Sequence, residues 1–153
     1  MNIVIDASVC LKWLFVEVDS PQALSILKDC EAKKITLLAP SLWEYEMVNA
    51  LATAVARKKI TFSKSLKFLK FFLKSKPQLV SIADEYKTCL TLAKKYQLSA
   101  YDSSYLTLAK AAKTILVSAD GKLVRKVADK KLVIGLKEYC KVSPCGAGFC
   151  FTG

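Results

Sequence analysis

Four acidic residues each stand where an apolar segment meets a turn or where a helix opens. They are Asp6, Glu46, Asp102 and Asp120. The chain contains no histidine, so its chemistry cannot rest on an imidazole acid or base. Carboxylate oxygens are the ligands that hard divalent cations prefer. The pattern predicts a carboxylate cage for a divalent metal ion.

Electrostatics gives the reason why such a cage needs a cation. Two unit charges about 4 Å apart at an effective dielectric near 20 repel by about 4 kcal/mol, and four charges multiply the pairs. Oxygen-only ligands suit Mg²⁺ or Mn²⁺ better than zinc or copper. Such an ion can activate water and stabilise the charge that develops as a phosphodiester is cleaved.

Each acid also has a purely structural interpretation. Asp6 and Asp102 could cap the helices that follow them, and Asp120 before Gly121 forms a common turn pair. Glu46 is harder to explain in this way, because it lies among apolar residues of a helix where an unpaired carboxylate is costly.

The charge of the chain favours a polyanionic partner. There are 24 Lys plus Arg against 13 Asp plus Glu, a formal net charge of +11, and Arg57 and Arg125 are the only arginines. Lysines suit contact with backbone phosphates better than bidentate reading of base edges. Nucleic acid is the natural candidate, and a generally lysine-rich proteome is the alternative explanation of the high pI.

Alternating apolar patterns predict one α/β domain, a three-layer α/β/α arrangement with a parallel sheet of about four to five strands. The predicted strands are 2–5, 36–39, 78–82, 113–117 and 131–134, and the predicted helices are 8–15, 20–33, 40–58, 61–76, 84–96, 100–111 and 121–129. The domain covers 1–142, and 143–153 is predicted to be a Gly- and Cys-containing tail.

Ligands of such sheets bind at the carboxyl ends of the strands, where the strand order reverses. Asp6 follows the first strand and Asp120 the fourth, so both belong at that edge. Glu46 must reach it from its helix, with Asn49 on the same face, and Asp102 from the first turn of the helix at 100–111. The apolar face of the helix at 40–58 is predicted to consist of Leu42, Tyr45, Val48, Leu51, Ala52 and Val55.

Other classes lack support in the sequence. There is no GxxxxGK[ST] or GxGxxG loop, no apolar run long enough for a membrane span and no secretory signal. We therefore expect a cytoplasmic protein. Cys10, Cys30 and Cys89 are predicted to be reduced thiols in helices, and the spacing of Cys140, Cys145 and Cys150 does not fit a zinc site.

Four segments together resemble the PIN-domain ribonucleases, and within them the VapC-type toxins of toxin–antitoxin modules. They are Val4-Ile5-Asp6-Ala7-Ser8-Val9, Ala39-Pro40-Ser41-Leu42-Trp43 leading to Glu46-Met47-Val48-Asn49-Ala50-Leu51, Tyr101-Asp102-Ser103-Ser104-Tyr105-Leu106, and Ser118-Ala119-Asp120-Gly121-Lys122-Leu123. In order, they cover about residues 2–135. Ser118 and Ser103 depart mildly from the family pattern, where threonine and alanine are commoner.

The resemblance implies that the four acids coordinate one or two Mg²⁺ or Mn²⁺ ions, with Ser8, Asn49 and Ser118 in supporting positions. It implies an endoribonuclease that cleaves RNA through metal-activated water, dimerises and is silenced by a small antitoxin. The apolar Trp13-Leu14-Phe15 and the cluster of Phe68, Leu69, Phe71 and Phe72 could face such partners, with core packing as the alternative.

Three further hypotheses stay open. One is a catalytically silent RNA-binding or regulatory module of the same fold, and another is a housekeeping RNA-processing nuclease. The third is a phosphoacceptor signalling domain, which would need adjacent acids after the first strand and an acceptor after the third, and the chain has neither.

Overall fold

Five short parallel strands form one sheet in the order β3-β2-β1-β4-β5. The computed structural model describes residues 1–142, and their side chains as far as residue 139. The strands are β1 Asn2–Ile5, β2 Thr36–Pro40, β3 Gln78–Val80, β4 Leu116–Ser118 and β5 Val133–Gly135. The predicted parallel α/β fold is confirmed, and the predicted tail at 143–153 lies outside the described residues.

Helices join every pair of consecutive strands. They are α1 Ala7–Leu11, α2 Ser20–Glu31, α3 Trp43–Ala56, α4 Phe62–Ser75, α5 Tyr86–Tyr96, α6 Ala100–Ala111, α7 Gly121–Val127 and α8 Leu136–Val142, with a 3-10 turn at Ala83–Glu85. The chain moves from β1 to β3 in one direction and then returns past β1 to β4 and β5. Right-handed crossovers therefore place the two sets of helices on opposite faces of the sheet.

The core lies between these layers. The strands β1 and β4 are almost completely buried, with Ile3, Val4 and Ile5 at 0% exposure, as expected for central parallel strands covered on both faces. Within the described part of the chain, no helix is long and apolar enough to cross a bilayer. Cys10, Cys30 and Cys89 are free thiols, and Cys10 and Cys89 are buried.

Helix α1 is shorter than the predicted 8–15. It ends at Leu11, and the chain continues in tight turns in which the amide of Trp13 donates to the carbonyl of Cys10 at 3.1 Å. The indole Nε1 of Trp13 then donates to the carbonyl of Ala23 at 2.9 Å. This tie to α2 turns the chain away from the helical path.

The predicted apolar face of α3 is wrong for three of its members. Tyr45 is 80% exposed, Val48 is 54% exposed and Ala52 is also exposed, whereas Trp43 and Met47 are buried. The helix carries apolar residues around its circumference, so periodicity alone cannot choose the buried face. Tertiary contact chooses it, because Trp43 packs edge to face on Phe72 of α4 with ring centroids 6.1 Å apart.

Helix α8 was absent from the predicted elements. It packs against α2, and Tyr139 on it is fully buried with its hydroxyl donating to Asp29 Oδ2 at 2.9 Å. Asp29 is itself 5% exposed and lies 3.7 Å from the ammonium of Lys34. A buried carboxylate is tolerated only with such partners, so this contact ties the last helix to the domain.

Replacing Tyr139 with Phe tests this tie. Removing the hydroxyl takes one hydrogen bond from a buried carboxylate, so the free energy of unfolding should fall by about 1–3 kcal/mol. Urea denaturation followed by circular dichroism measures the change, with Tyr86→Phe, at an exposed tyrosine, as the matched control. Equal stability of the two variants would contradict the role given to Tyr139.

Candidate metal centre

The candidate site lies at the carboxyl edge of the sheet, between β1 and β4. Asp6 follows β1 directly, and its amide donates to the carbonyl of Val117 on β4 at 3.4 Å. Asp120 stands two residues beyond the end of β4. Since β2 and β4 flank β1 on either side, this is the point where the strand order reverses, as the sequence predicted.

Asp6 is the buried member of the acidic set, at 6% exposure. Its Oδ1 accepts hydrogen bonds from the hydroxyl of Ser8 and from the amide of Val9 at 3.1 Å, so it caps α1. The structural interpretation of Asp6 is therefore correct. It leaves the second carboxylate oxygen out of the cap, so it does not exclude a further role.

Two serines connect Asp6 to the loop after β4. The Oγ of Ser8 also accepts from the amide of Ala119 at 3.0 Å, and Ser118 Oγ accepts from the amide of Asp120 at 2.9 Å. Ser118 is 1% exposed and its hydroxyl contacts Asp6. Both predicted supporting serines thus lie beside Asp6, and their role in supporting a metal cage stays a prediction.

Glu46 reaches the same edge from α3 and is half-buried. The hydroxyl of Tyr105 on α6 donates to Glu46 Oε2, and Tyr105 itself is 3% exposed. The sequence reasoning did not single out Tyr105 as a site residue. Its position one helical turn after Asp102, on the face that points inward, is the signal that could have found it.

Asp102 does not cap α6, contrary to one structural interpretation of the sequence. Ser99 is the cap: its Oγ accepts from the amide of Asp102 at 3.0 Å and donates to Asp102 Oδ2 at 2.8 Å. Ser99 was also missed, although a serine three residues before an acid is a recognisable helix start. Asp102 is half-buried in the first turn of α6.

Asp120 is exposed and caps α7, since its Oδ1 accepts from the amides of Lys122 at 2.7 Å and Leu123 at 3.4 Å. Asn49, the remaining predicted supporting residue, is also exposed. Neither residue is held inside the site by packing, so their predicted roles as ligand and support stay predictions.

The pKa values of Asp6 and Glu46 are raised by burial and by the charges of neighbouring acids. Burial raises the pKa of Asp6, hydrogen bonds from Ser118, Ser8 and Val9 oppose the rise, and the charge of Asp120 adds to it. Burial also raises the pKa of Glu46, with the Tyr105 hydroxyl opposing and the charges of Asp6 and Asp102 adding. The charge of Asp120 therefore acts on Asp6, and the charges of Asp6 and Asp102 act on Glu46.

The donor set fits a hard divalent cation, because every candidate ligand is an oxygen and the carboxylates repel one another without one. In the described part of the chain, however, no three His, Cys, Asp or Glu side chains are close enough to form a metal-binding group as they stand. Each acid instead contacts protein donors. The structure brings the four acids to one edge without closing a cage.

An apolar cavity of about 460 Å³ opens at the start of α6. Its walls come from the end of β2, the segment after β3 and the first turns of α5 and α6, with Tyr86, Leu90 and Tyr101 among them. All three of these side chains are more than 60% exposed. Tyr101 precedes Asp102, so the cavity and the acidic edge share the start of α6.

A family model for the PIN domain matches residues 3–130, far more than half of the chain. The search of curated protein sequences found no match to this chain. The chain therefore belongs to the PIN-domain family, whose members are nucleases, and the family predicted from the four segments is confirmed.

Solved structures share the fold at low sequence identity. PAE2754 of Pyrobaculum aerophilum is 23% identical with a TM-score of 0.66, covering 90% of this chain and 94% of that one. VapBC2 of Rickettsia felis, bound to a DNA fragment from their promoter, is 16% identical with a TM-score of 0.61, covering 88% and 98%. FitAcB of Neisseria gonorrhoeae is 14% identical with a TM-score of 0.60, covering 88% and 98%.

The raised pKa of Asp6 gives a prediction for stability. Its folded-state pKa lies above the ordinary 3.8, so the folded state holds more protons than the unfolded state above that pH. Stability in EDTA should therefore fall as the pH rises from about 3.8 through the raised value, and it should stay reduced above. Asp6→Asn keeps the cap and removes the charge, so it should unfold at higher temperature than the wild type at neutral pH.

Metal should reverse this order. At about 100 times its dissociation constant, Mg²⁺ or Mn²⁺ should stabilise the wild type by about 2.7 kcal/mol, and Asp6→Asn should lose most of that gain. Thermal denaturation with and without metal measures both effects, and Asp84→Asn, at an exposed aspartate, is the control. A wild type that is indifferent to both metals would contradict the predicted metal centre.

Proposed function

We propose that the protein is a Mg²⁺- or Mn²⁺-dependent endoribonuclease. The observation that carries the proposal is the approach of four acids to the strand-order reversal of a PIN fold, where the charge of Asp120 acts on Asp6 and the charges of Asp6 and Asp102 act on Glu46. Asp6, Glu46, Asp102 and Asp120 would hold the ion. When bound, it supplies activated water and offsets the charge that develops on the phosphate.

The chain's own contacts prepare the acids for this role. Ser8 fixes one oxygen of Asp6, and Tyr105 holds Oε2 of Glu46. Contacts of this kind set the orientation of ligating carboxylates, and their loss typically costs about 10–100-fold in metal affinity or activity. The hydroxyl of Tyr105 is a donor and not a base here, because burial and the charge of Glu46 raise its pKa well above the ordinary value.

RNA is the substrate that the charge distribution supports. The net charge of +11 attracts phosphates. The 22 lysines of the chain suit contacts with the nucleic-acid backbone better than the reading of base edges. The neighbouring VapBC2 structure contains a promoter DNA fragment, so DNA is the substrate that must be tested against RNA. A catalytically silent RNA-binding module is the second candidate, and retention of all four acids speaks against it.

We infer that the nuclease is the toxin of a toxin–antitoxin module and acts in the cytoplasm. The inference rests on fold neighbours that are VapBC and FitAB proteins. A small antitoxin and a second copy of the chain are the partners that the inference requires. A housekeeping RNA-processing enzyme is the alternative, and the presence or absence of an antitoxin gene beside this one distinguishes the two.

The proposal predicts metal-dependent cleavage of RNA. Wild-type protein should cut single-stranded or structured RNA with Mg²⁺ or Mn²⁺ and leave it intact in EDTA. Asp6→Asn should lower the rate by at least about a hundredfold, since it removes a ligand charge and keeps the fold. Gel analysis of end-labelled RNA measures the rates, with Asp84→Asn as the matched control.

Several outcomes of that assay would overturn the proposal. Cleavage that persists in EDTA or in Asp6→Asn rules out the metal mechanism. Equal cleavage of single-stranded DNA of the same sequence rules out a dedicated ribonuclease. Tight RNA binding without cleavage in either metal favours the silent module.

The predicted homodimer can be tested at the apolar cavity. We propose that a second copy covers its exposed rim, because Leu90 is 68% exposed between Tyr86 and Tyr101. Leu90→Glu should therefore give a monomer in sedimentation velocity, with the unfolding free energy changed by about 0.5 kcal/mol or less, as for an exposed site. Leu73→Glu, at a leucine 63% exposed on α4, is the control, and dimers of both variants would refute this interface.

A further inference from the structure

A second cleft, of about 420 Å³, opens at the amino edge of the sheet, opposite the acids. It lies between the last turns of α5 and α6 and the segments that enter β4 and β5. Its polar lining includes four lysines and one acid, and we call it the lysine cleft: Lys95, Lys110, Lys113, Lys131 and Asp129. Its floor contains Leu92, Ile115 and Leu132, and Tyr96 lies on its wall.

The four ammonium groups are only partly balanced by the protein. All four lysines are exposed, and none of them forms a salt bridge within the part of the chain whose side chains are described. Asp129 is the one carboxylate that lines the cleft, and its Oδ1 accepts from the backbone amide of Lys131 at 3.0 Å. The cleft therefore carries a formal excess of three positive charges.

Helix ends explain only part of this cluster. Lys95 and Lys110 stand in the last turns of α5 and α6, where a cation stabilises the helix by about 0.3–1 kcal/mol. Lys113 follows the C-cap of α6 at a φ of 51°, so it too stands at the negative end of a helix. Lys131 lies in a turn four residues beyond α7, so the macrodipole gives no reason for it. A structural role would also not need a concave shape.

The shape and lining identify the kind of anion. A flat anionic membrane cannot enter a concave cleft, whereas the sugar-phosphate chain of a nucleic acid can. The ring of Tyr96 lies on the wall of the cleft with Lys95 Nζ over its face, 4.8 Å from the centroid, so the two side chains form one cationic and aromatic surface. Positive grooves with aromatic walls are typical of proteins that hold single-stranded nucleic acid.

A strand held at the acids can reach the cleft over the surface beside α6. This helix carries Asp102 in its first turn and Lys110 in its last, and eight residues at 1.5 Å each separate them by about 12 Å along the axis. Residues 103–109 are buried, so the strand must follow a longer path around the helix. We propose that the lysine cleft binds backbone phosphates of the RNA on one side of the scissile bond. This inference rests on the proposed function and deepens it.

The test uses the full chain with two lysines changed, Lys110→Ala together with Lys113→Ala. Lys67→Ala together with Lys70→Ala, two exposed lysines of α4, is the control of equal charge. Binding to fluorescent single-stranded RNA of about 12 nucleotides is measured in EDTA by anisotropy over a range of salt. Thermal denaturation checks that both variants are folded, and gels check that the RNA stays intact.

The cleft variant should bind about tenfold more weakly than wild type near 0.1 M salt. The slope of log K against log salt should become shallower by about 1.4, the value for two phosphate contacts to a single strand. The control pair should retain most of the wild-type affinity. Equal losses in the two variants would mean a general charge effect and would overturn the inference, as would a cleft variant that binds anionic vesicles less but RNA normally.

Failure of this inference can be distinguished from failure of the proposed function. If the cleft is not used, the cleft variant binds RNA as the control does, and the wild type still cleaves RNA with metal. If the protein is not a metal-dependent nuclease, the wild type leaves RNA uncut with metal while the difference in binding between the two variants persists.

Discussion

The burial of carboxylates at the carboxyl edge of β1 and β4, with their repulsion added to it, is the constraint on which the rest of this structure depends. Asp6 is buried and feels the charge of Asp120, and Glu46 feels Asp6 and Asp102. Hydrogen bonds reduce the resulting cost, among them those donated by the hydroxyls of Ser8 and Tyr105. The protein tolerates this arrangement because the sheet, the caps and the core around it supply the stability that the acids remove.

The same acids serve local structure and the site together. Asp6 and Asp120 cap α1 and α7. In both cases the helix begins just after the chain leaves a strand at the carboxyl edge of the sheet. A cap uses one carboxylate oxygen here, Oδ1 in both residues. Capping therefore fixes the position of the carboxylate and leaves the second oxygen for another partner, so evidence for a cap is not evidence against a ligand.

The parts of the fold that were predictable from the sequence are those decided locally. Apolar runs bounded by turns gave the five strands, and the acids at strand ends gave the site edge, because parallel strands all end at one side. The buried face of α3 was not predictable, since Trp43 and Tyr45 are both aromatic and only the contact with Phe72 selects one. Tyr105 and helix α8 were missed because their importance comes from partners 59 and 110 residues away, Glu46 and Asp29.

Helix α6 has an acid, Asp102, in its first turn and a lysine of the cleft, Lys110, in its last turn. This separation of opposite charges affects how a polyanion could approach the acids. A cluster of carboxylates repels phosphate, and the lysine cleft is about 12 Å from Asp102 along the helix. This distance exceeds the Debye length of about 8 Å at physiological ionic strength, so the lysines cannot neutralise the acids through solvent. They can attract a strand, but a phosphate beside the four acids would need its charge balanced locally, which is the role of the cation in the proposed mechanism.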